Sequence, residues 1–391
     1  MLTCLPPVGN PVELTAHSSP AAILQAAFLE NDAYLYGSGT MALAAALTAA
    51  TAYRHVEAPE VLMPAYACPD LVSAAHYAGL KPVLVDLVAD RHWMDLGQLQ
   101  QKIGPNTVAV IAAHLLGLPE RLPAIREVLN GTDILLIEDS AQLFPSAANK
   151  TIWQGDLIVL SFGRGKPVSL FGGGAVISQR PALSRLLPKE ATTSYVTNLQ
   201  SEPGQANWKY TGKVKIFNAL LTPLAYGVLR RLPLLHLGQT IYKPLSTIEE
   251  FSMERLSILA SNIIAYQQRT RQAEQWISHM LAESQCEGIL DLPAQFSGRA
   301  GLPLLRYPVL LRDKALRDRL DYALLQAGIG CSKMYTRPLP EIEGLENMFN
   351  DVAHYPEAGA FSDRLLSLPC HEGVTIRHVD RIKSVIQTVV G

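Results

Sequence analysis

The residues best placed to do chemistry lie in Ser161-Phe-Gly-Arg-Gly-Lys166, followed by Gly172-Gly173-Gly174. The apolar run Asp156-Leu-Ile-Val-Leu160 precedes them and reads as a short buried strand. Ser161 and Lys166 therefore fall in a loop at a strand's carboxyl end, where α/β sheets place their ligands. A lone lysine in such a loop is more often a solvated charge. Other segments add weight to the ligand reading. Gly37-Ser38-Gly39-Thr40 leads directly into Met-Ala-Leu-Ala-Ala-Ala-Leu, a turn that opens a helix of small residues. Free N–H groups and a positive dipole end make such a start suitable for a phosphate, although the same residues are also ordinary caps. Glu138-Asp139-Ser140-Ala141-Gln142 ends the apolar run Ile134–Ile137. A carboxylate there either caps the next helix or points into a ligand crevice.

The elements needed to position these groups are legible as an alternation. Helix is expected near Ala21–Leu29, strand at Val61–Met63, helix at Pro69–Ala78 and strand at Pro82–Asp86. Thr107–Ala113, Leu122–Leu129 and Ile134–Ile137 continue it as strand, helix and strand, with Gly174–Ile177 returning from the lysine loop. This predicts an α/β fold: a mostly parallel central sheet with helices on both faces. The rhythm breaks over 187–247, an apolar insertion that includes Ile216–Leu229, Pro223 and Arg230-Arg231. Such a stretch needs cover from its own domain, from a twin subunit, or from a membrane surface touched through 216–238. Glu254–Glu283 reads as one long helix connecting to a smaller C-terminal α+β domain. That domain holds a strand at Leu305–Leu311, a helix at Lys314–Ala327 and an amphipathic final helix. The expected division is 1–250 for the large domain and 251–391 for the connecting helix and small domain.

Composition excludes several classes. The 391 residues are 48% hydrophobic and 17% charged, which marks a globular chain. A net charge of −2 gives no electrostatic footprint for nucleic acid. Cys4, Cys68, Cys286, Cys331 and Cys370 are scattered, which suggests reduced thiols, a cytoplasmic protein and no zinc site. No signal peptide and no membrane-spanning run are expected.

Taken in order, the helix start at Gly39-Thr40, Asp139-Ser-Ala-Gln142, Ser161-Phe-x-x-x-Lys166 and the triple glycine form a specific set. The set resembles the fold-type-I pyridoxal-phosphate enzymes, and within them the sugar aminotransferases of the DegT/StrS type. Met63-Pro64-Ala-Tyr66, Ala113-His-Leu-Leu-Gly117, Tyr335-x-x-Pro338-Leu339 and Leu366-Ser-Leu-Pro369 match similar phrases. The resemblance implies pyridoxal 5′-phosphate bound covalently to Lys166, with that amine later moving a proton. It implies Asp139 on the pyridine nitrogen, Gln142 at the ring, and Gly39, Thr40 and Ser161 on the phosphate. It also implies an amino-acid donor, a keto (nucleotide-)sugar acceptor and a homodimer.

The chain departs from the family pattern at two places. Cys68 stands where an aromatic usually stacks on the ring, leaving the thiol or Tyr66 as the neighbour. Glu250-Phe-Ser-Met253 replaces an Asn-Tyr-Arg-Met phrase, so Arg164 becomes a candidate for neutralising an anion. His114 and His371 are further candidates for substrate contact, though a lone histidine is more often structural. Lys166 argues against the dehydratase branch, which carries histidine there. A lyase-type enzyme on the same cofactor, or a non-catalytic cofactor-binding sensor, is the alternative reading.

Overall fold

Short apolar and β-branched runs become the strands of one large sheet, and the amphipathic or small-residue segments between them become its helices. The computed structural model describes residues 3–145, 153–188, 193–194, 208–231, 240–284, 287–296, 303–349 and 355–390. The first part runs α1 (Pro20–Ala27), β1 (Ala33–Tyr36), α2 (Gly39–Tyr53), β2 (Glu60–Pro64), α3 (Asp70–Tyr77), β3 (Lys81–Val85) and α4 (Leu96–Lys102). It continues with β4 (Thr107–Ala113), α5 (Leu122–Val128), β5 (Leu135–Asp139), β6 (Leu157–Ser161), β7 (Gly174–Ser178), α6 (Pro181–Ser184) and β8 (Thr193–Ser194).

The strand order is β3-β2-β4-β5-β6-β7-β1-β8. From β3 to β6 every neighbour is parallel, whereas β7, β1 and β8 join antiparallel. The mostly parallel α/β sheet expected from the sequence is present. Its antiparallel edge has a simple cause: no helix between β6 and β7 carries the chain back across the sheet.

Successive side chains of the strands face opposite layers. Ile111, Leu135, Ile137 and Val159 meet α2 and α3, while Val110, Ala112 and Leu136 meet α4 and α5. Ile158, Leu160, Ala175 and Ile177 pack with residues of α1 on that second face, nearer the antiparallel edge. The alanines of α2 (Ala42, Ala44, Ala45, Ala46, Ala49, Ala50) are fully buried. Their small size lets the helix lie close on the sheet and presents its first turn at the carboxyl ends of the strands.

The remaining elements are α7 (Trp208–Leu220), α8 (Pro223–Leu229), α9 (Met253–Gln267), α10 (Gln272–Ser284), β9 (Ile289–Asp291) and β10 (Arg306–Leu311). They are followed by α11 (Lys314–Gln326), α12 (Pro356–Arg364), β11 (Leu365–Pro369) and α13 (Ile376–Val390). β11-β10-β9 form a small antiparallel sheet. The expected long helix over 254–283 is two helices, α9 and α10. At the break the Thr270 hydroxyl accepts from the Gln272 N–H at 3.1 Å, and the Thr270 N–H donates to Glu372 at 3.3 Å. A threonine that satisfies backbone groups locally competes with helix continuation. Within the apolar insertion at 187–247, residues 189–192, 195–207 and 232–239 lie outside the described residues, so the expected contact over 216–238 is covered only through Arg231. Among the described residues no helix is long and apolar enough to cross a membrane, and no group of metal-ligating side chains assembles.

Candidate active site

A cavity of about 380 Å³ opens at the carboxyl ends of β4, β5 and β6, in the size range of small-molecule sites, about 300–1,000 Å³. Ser38, Gly39 and Thr40 reach it from the start of α2, Cys68 and Asp70 from the start of α3, and Tyr335 from the loop after α11. His114, Asp139, Gln142, Ser161, Arg164 and Lys166 complete it, together with Phe171, Gly172 and Gly173.

The helix start is built for close approach. Ser38 caps α2 by accepting from the Met41 N–H at 3.1 Å, which leaves the Gly39 and Thr40 N–H groups at the open end. A side chain at residue 39 is sterically forbidden, because its Cβ would lie 2.6 Å from the Ser161 hydroxyl. Gly173 has φ +94°, and a Cβ there would meet the Phe251 ring at 2.3 Å. Glycine is the residue that takes this backbone without strain. These contacts hold the helix start, the end of β6 and the returning strand together.

Two neighbouring carboxylates end β5. Glu138 is fully buried and accepts from the His114 Nε2–H (2.8 Å), the Gln154 N–H (2.7 Å) and the Gly155 N–H (2.8 Å). The other ring nitrogen of His114, Nδ1, accepts from the Glu120 N–H at 3.0 Å. That pair of bonds fixes the Nε2–H tautomer and leaves no nitrogen for a ligand, so His114 offers the cavity its ring. Asp139 is placed differently. The one protein hydrogen bond of its carboxylate among the described residues is from the Ala141 N–H at 3.0 Å. Burial pushes its carboxyl above the usual range, against the pull of that N–H and of the Lys166 charge. Gln142 holds Leu116 in its left-handed conformation by accepting from the Leu116 N–H at 3.2 Å, which leaves the amide NH₂ for the cavity.

The thiol of Cys68 is pushed up to about 12 by burial, with the Asp70 charge adding to the effect and Lys166 opposing it. It is therefore a neutral, polarisable wall and not a thiolate. The Tyr335 side chain lines the cavity beside it.

Two candidates from the sequence stand elsewhere. Tyr66 is fully buried behind Cys68, where its hydroxyl donates to the Tyr335 carbonyl at 2.9 Å and its ring packs against Tyr335 and Phe361. Cys68, and not Tyr66, faces the cavity. His371 donates from Nε2 to the Pro6 carbonyl at 3.0 Å and packs on Gly9, pinning the N-terminal segment away from the cavity lining. Arg164 is exposed at the rim, 5.3 Å over the Phe171 ring.

Sequence reasoning missed Asp70 and Phe171, and named Ser38 only as part of the helix-start phrase. It also missed Arg255, whose Nη2 lies 2.7 Å from where a Cβ on Gly172 would stand and whose buried Nε has no hydrogen-bond partner among the described residues. Arg255 sits two residues beyond Glu250–Met253, where the departure from the Asn-Tyr-Arg-Met phrase had already drawn attention.

Residues 26–203 and 259–387 match the sequence profile of the DegT/DnrJ/EryC1/StrS aminotransferase family. A curated relative from Acidithiobacillus ferrooxidans, UDP-N-acetyl-3-dehydro-alpha-D-glucosamine 3-aminotransferase, is 27% identical over 84% of this chain and 77% of its own length. Among solved structures, the putative sugar aminotransferase Spr1654 from Streptococcus pneumoniae in its PMP form superposes with TM-score 0.68. That match has 19% identity and covers 96% of this chain and 91% of that one. DesI crystallised with its TDP-sugar product gives TM-score 0.70 and 18% identity over 99% of this chain and 93% of that one. At these identities the structural likeness speaks for the fold.

Proposed function

The chain belongs to the DegT/DnrJ/EryC1/StrS aminotransferase family, and we propose that its cavity moves an amino group from an amino acid to the keto group of a nucleotide-linked sugar. It is a pyridoxal-phosphate-dependent aminotransferase. The observation that carries the site assignment is the gathering of Lys166, Asp139 and the start of α2 in one cavity. The cavity suits the cofactor on three counts. A buried carboxylate with one backbone donor suits a cationic ring nitrogen. A helix start kept bare by Gly39 and flanked by Ser161 suits a phosphate. Lys166 stands at the same opening.

Bound there, pyridoxal phosphate supplies a ring that accepts the electron pair left when a proton leaves the substrate's Cα. The chain's own residues do the rest. Lys166 would hold the cofactor through Nζ and, once released, its Nζ would carry the proton between the substrate's Cα and the cofactor's C4′ carbon. Asp139 keeps the ring nitrogen protonated. The Gly39 and Thr40 N–H groups and the Thr40 and Ser161 hydroxyls anchor the phosphate. Gln142 donates from its amide, while Cys68 and the His114 ring pack beside the site. Arg164 at the rim receives a carboxylate or phosphate through its planar fork of donors.

The nucleotide-sugar acceptor is supported by the names of the A. ferrooxidans relative and of DesI's bound product. A homodimer, a cytoplasmic location and a division near residue 250 into large and small domains belong to the same reading. The free thiols of Cys4, Cys68, Cys331 and Cys370 agree with a reducing compartment. To test it, the yellow holoenzyme is mixed with single amino acids, and bleaching of the cofactor absorbance is followed. A keto nucleotide-sugar is then added to restore the colour. Bleaching without recovery by any keto sugar rejects the acceptor class, and a colour that no amino acid bleaches identifies a non-catalytic sensor. Sedimentation of the holoenzyme as a monomer at micromolar concentration rejects the dimer.

A further inference from the structure

One exposed face of the molecule is unlike the rest. Trp208, Ile216, Leu224 and Val228 are 78%, 64%, 58% and 49% exposed, and all four belong to α7 and α8. Helical spacing puts Trp208, Gly212, Ile216 and Ala219 on one outward stripe of α7, with Lys215 along one side and Lys209 and Lys213 along the other. Leu224 and Val228 form a matching pair on α8, followed by Arg230 and Arg231. Those five cationic residues are all exposed. Between Glu202 and Glu249 the chain carries no acidic residue at all, in a protein whose net charge is −2.

The inner sides of both helices are fixed. Val214 is buried, the Tyr210 hydroxyl donates to the Leu170 carbonyl at 2.7 Å, and the Phe217 ring lies 5.3 Å from that of Phe171. Asn218 exchanges two 2.9 Å hydrogen bonds with the Val12 backbone, and the Pro223 carbonyl accepts from the Cys4 N–H. Glu254 lies near enough to Tyr210, and Asp321 to Tyr226, to raise those hydroxyls' pKa values. The outward stripe is thus a firm platform of tryptophan and aliphatic side chains bordered by lysine and arginine.

We propose that the α7–α8 face docks on an anionic lipid bilayer surface. Tryptophan belongs at the boundary between headgroups and acyl chains, and lysines can lay their stems on apolar surface while keeping their charge among headgroups. A second copy of this chain is a poorer occupant, because a two-fold contact centred here sets the same cationic patch against itself. A nucleic acid would match the charge but leave the aliphatic stripe without a role. Each lysine near an anionic surface strengthens the partition about fivefold, so the effect is additive and measurable.

The test is co-sedimentation of the full holoenzyme with phosphatidylglycerol–phosphatidylcholine vesicles and with phosphatidylcholine vesicles alone. Binding is expected to the anionic vesicles only, and to fall when salt rises from about 0.1 M to about 1 M, as the screening length shortens from about 10 Å to about 3 Å. Lys213→Glu with Lys215→Glu, and separately Trp208→Ser with Ile216→Ser, should each lower the partition more than tenfold at unchanged circular dichroism. Brominated lipid should quench part of the fluorescence of the parent, and that part should vanish in Trp208→Phe. Four results overturn the proposal: no binding to anionic vesicles, equal binding to both vesicle types, a parent dimer that Trp208→Ser with Ile216→Ser splits, or single-stranded RNA captured as tightly as anionic lipid.

Discussion

Glu138 and Asp139 are adjacent in the chain, yet they end β5 in opposite electrical circumstances. Glu138 anchors a closed network in which His114, Gln154 and Gly155 all donate to it, and His114 in turn is held by Glu120. Asp139 faces the cavity with one backbone donor. The strand's alternation sends the two side chains to opposite sides, and that alone separates a positioning network from a group that needs a ligand. Buried polar groups are normally satisfied, so the under-satisfied one marks where a partner binds.

Removing the groups on either side of this divide should give different signatures. The largest loss is expected at Lys166→Ala, with turnover down by about 10⁴ or more. Borohydride should then fix no cofactor to the peptide containing residue 166. A mutant that still yields that labelled peptide would place the attachment elsewhere. Asp139→Asn should slow the half-reaction with amino donor by roughly two powers of ten, since it removes a preorganised charge.

The same Asp139 substitution sharpens the comparison through stability. With no cofactor bound, burial lifts the Asp139 carboxyl above its unfolded value. The folded chain then holds that proton more tightly than the unfolded one. The linked stability is therefore lost as pH rises from about 3.9, the ordinary carboxylate value, through the raised one. Asp139→Asn should escape the loss, so urea unfolding of cofactor-free protein should show a more stable mutant at neutral pH and convergence near pH 4. Equal stability at both pH values would mean that Asp139 is an ordinary helix cap.

Glu138→Ala should do the reverse. It strands two buried donors and a third that is part-buried, costs roughly 3 kcal/mol or more and lowers the thermal midpoint by several degrees. The half-reaction per folded site should change less than tenfold. A hundredfold loss in rate at unchanged midpoint would move Glu138 into the reacting group. Smallest of all, Arg164→Lys should weaken donor affinity a few-fold and Arg164→Ala further, as the fork and then the charge are removed. Unchanged donor affinity in both would make Arg164 a surface charge stacked on Phe171.

Much of this organisation is legible in the sequence, because it rests on local signals. The strand at Thr107–Ala113 has the bounds expected of an uninterrupted apolar run, and Lys166, Asp139, Gln142, Ser161, Gly39, Thr40 and Cys68 all reach the cavity from strand or helix ends. What escaped depends on distant contacts. The single-helix reading of 254–283 fails because Glu372, about a hundred residues later, takes the Thr270 N–H. Tyr66 and His371 carry no local sign of facing inward, since their orientation is set by Tyr335 and by Pro6. Arg255 is visible only once Gly172 is folded against it.

The contact between Cys68 and Tyr335 also has a consequence for synthesis. The strands of the large sheet and the Lys166 loop leave the ribosome well before Tyr335, a residue of the cavity wall. Tyr335 follows Lys166 by about 170 residues, which at about 5–20 residues per second amounts to roughly 10–30 s of elongation. Throughout that interval the nascent chain has all three anchors of the cavity, at Gly39, Asp139 and Lys166, and lacks this part of its wall. The three anchors of the cavity are thus made before the wall residue that the C-terminal third of the protein supplies.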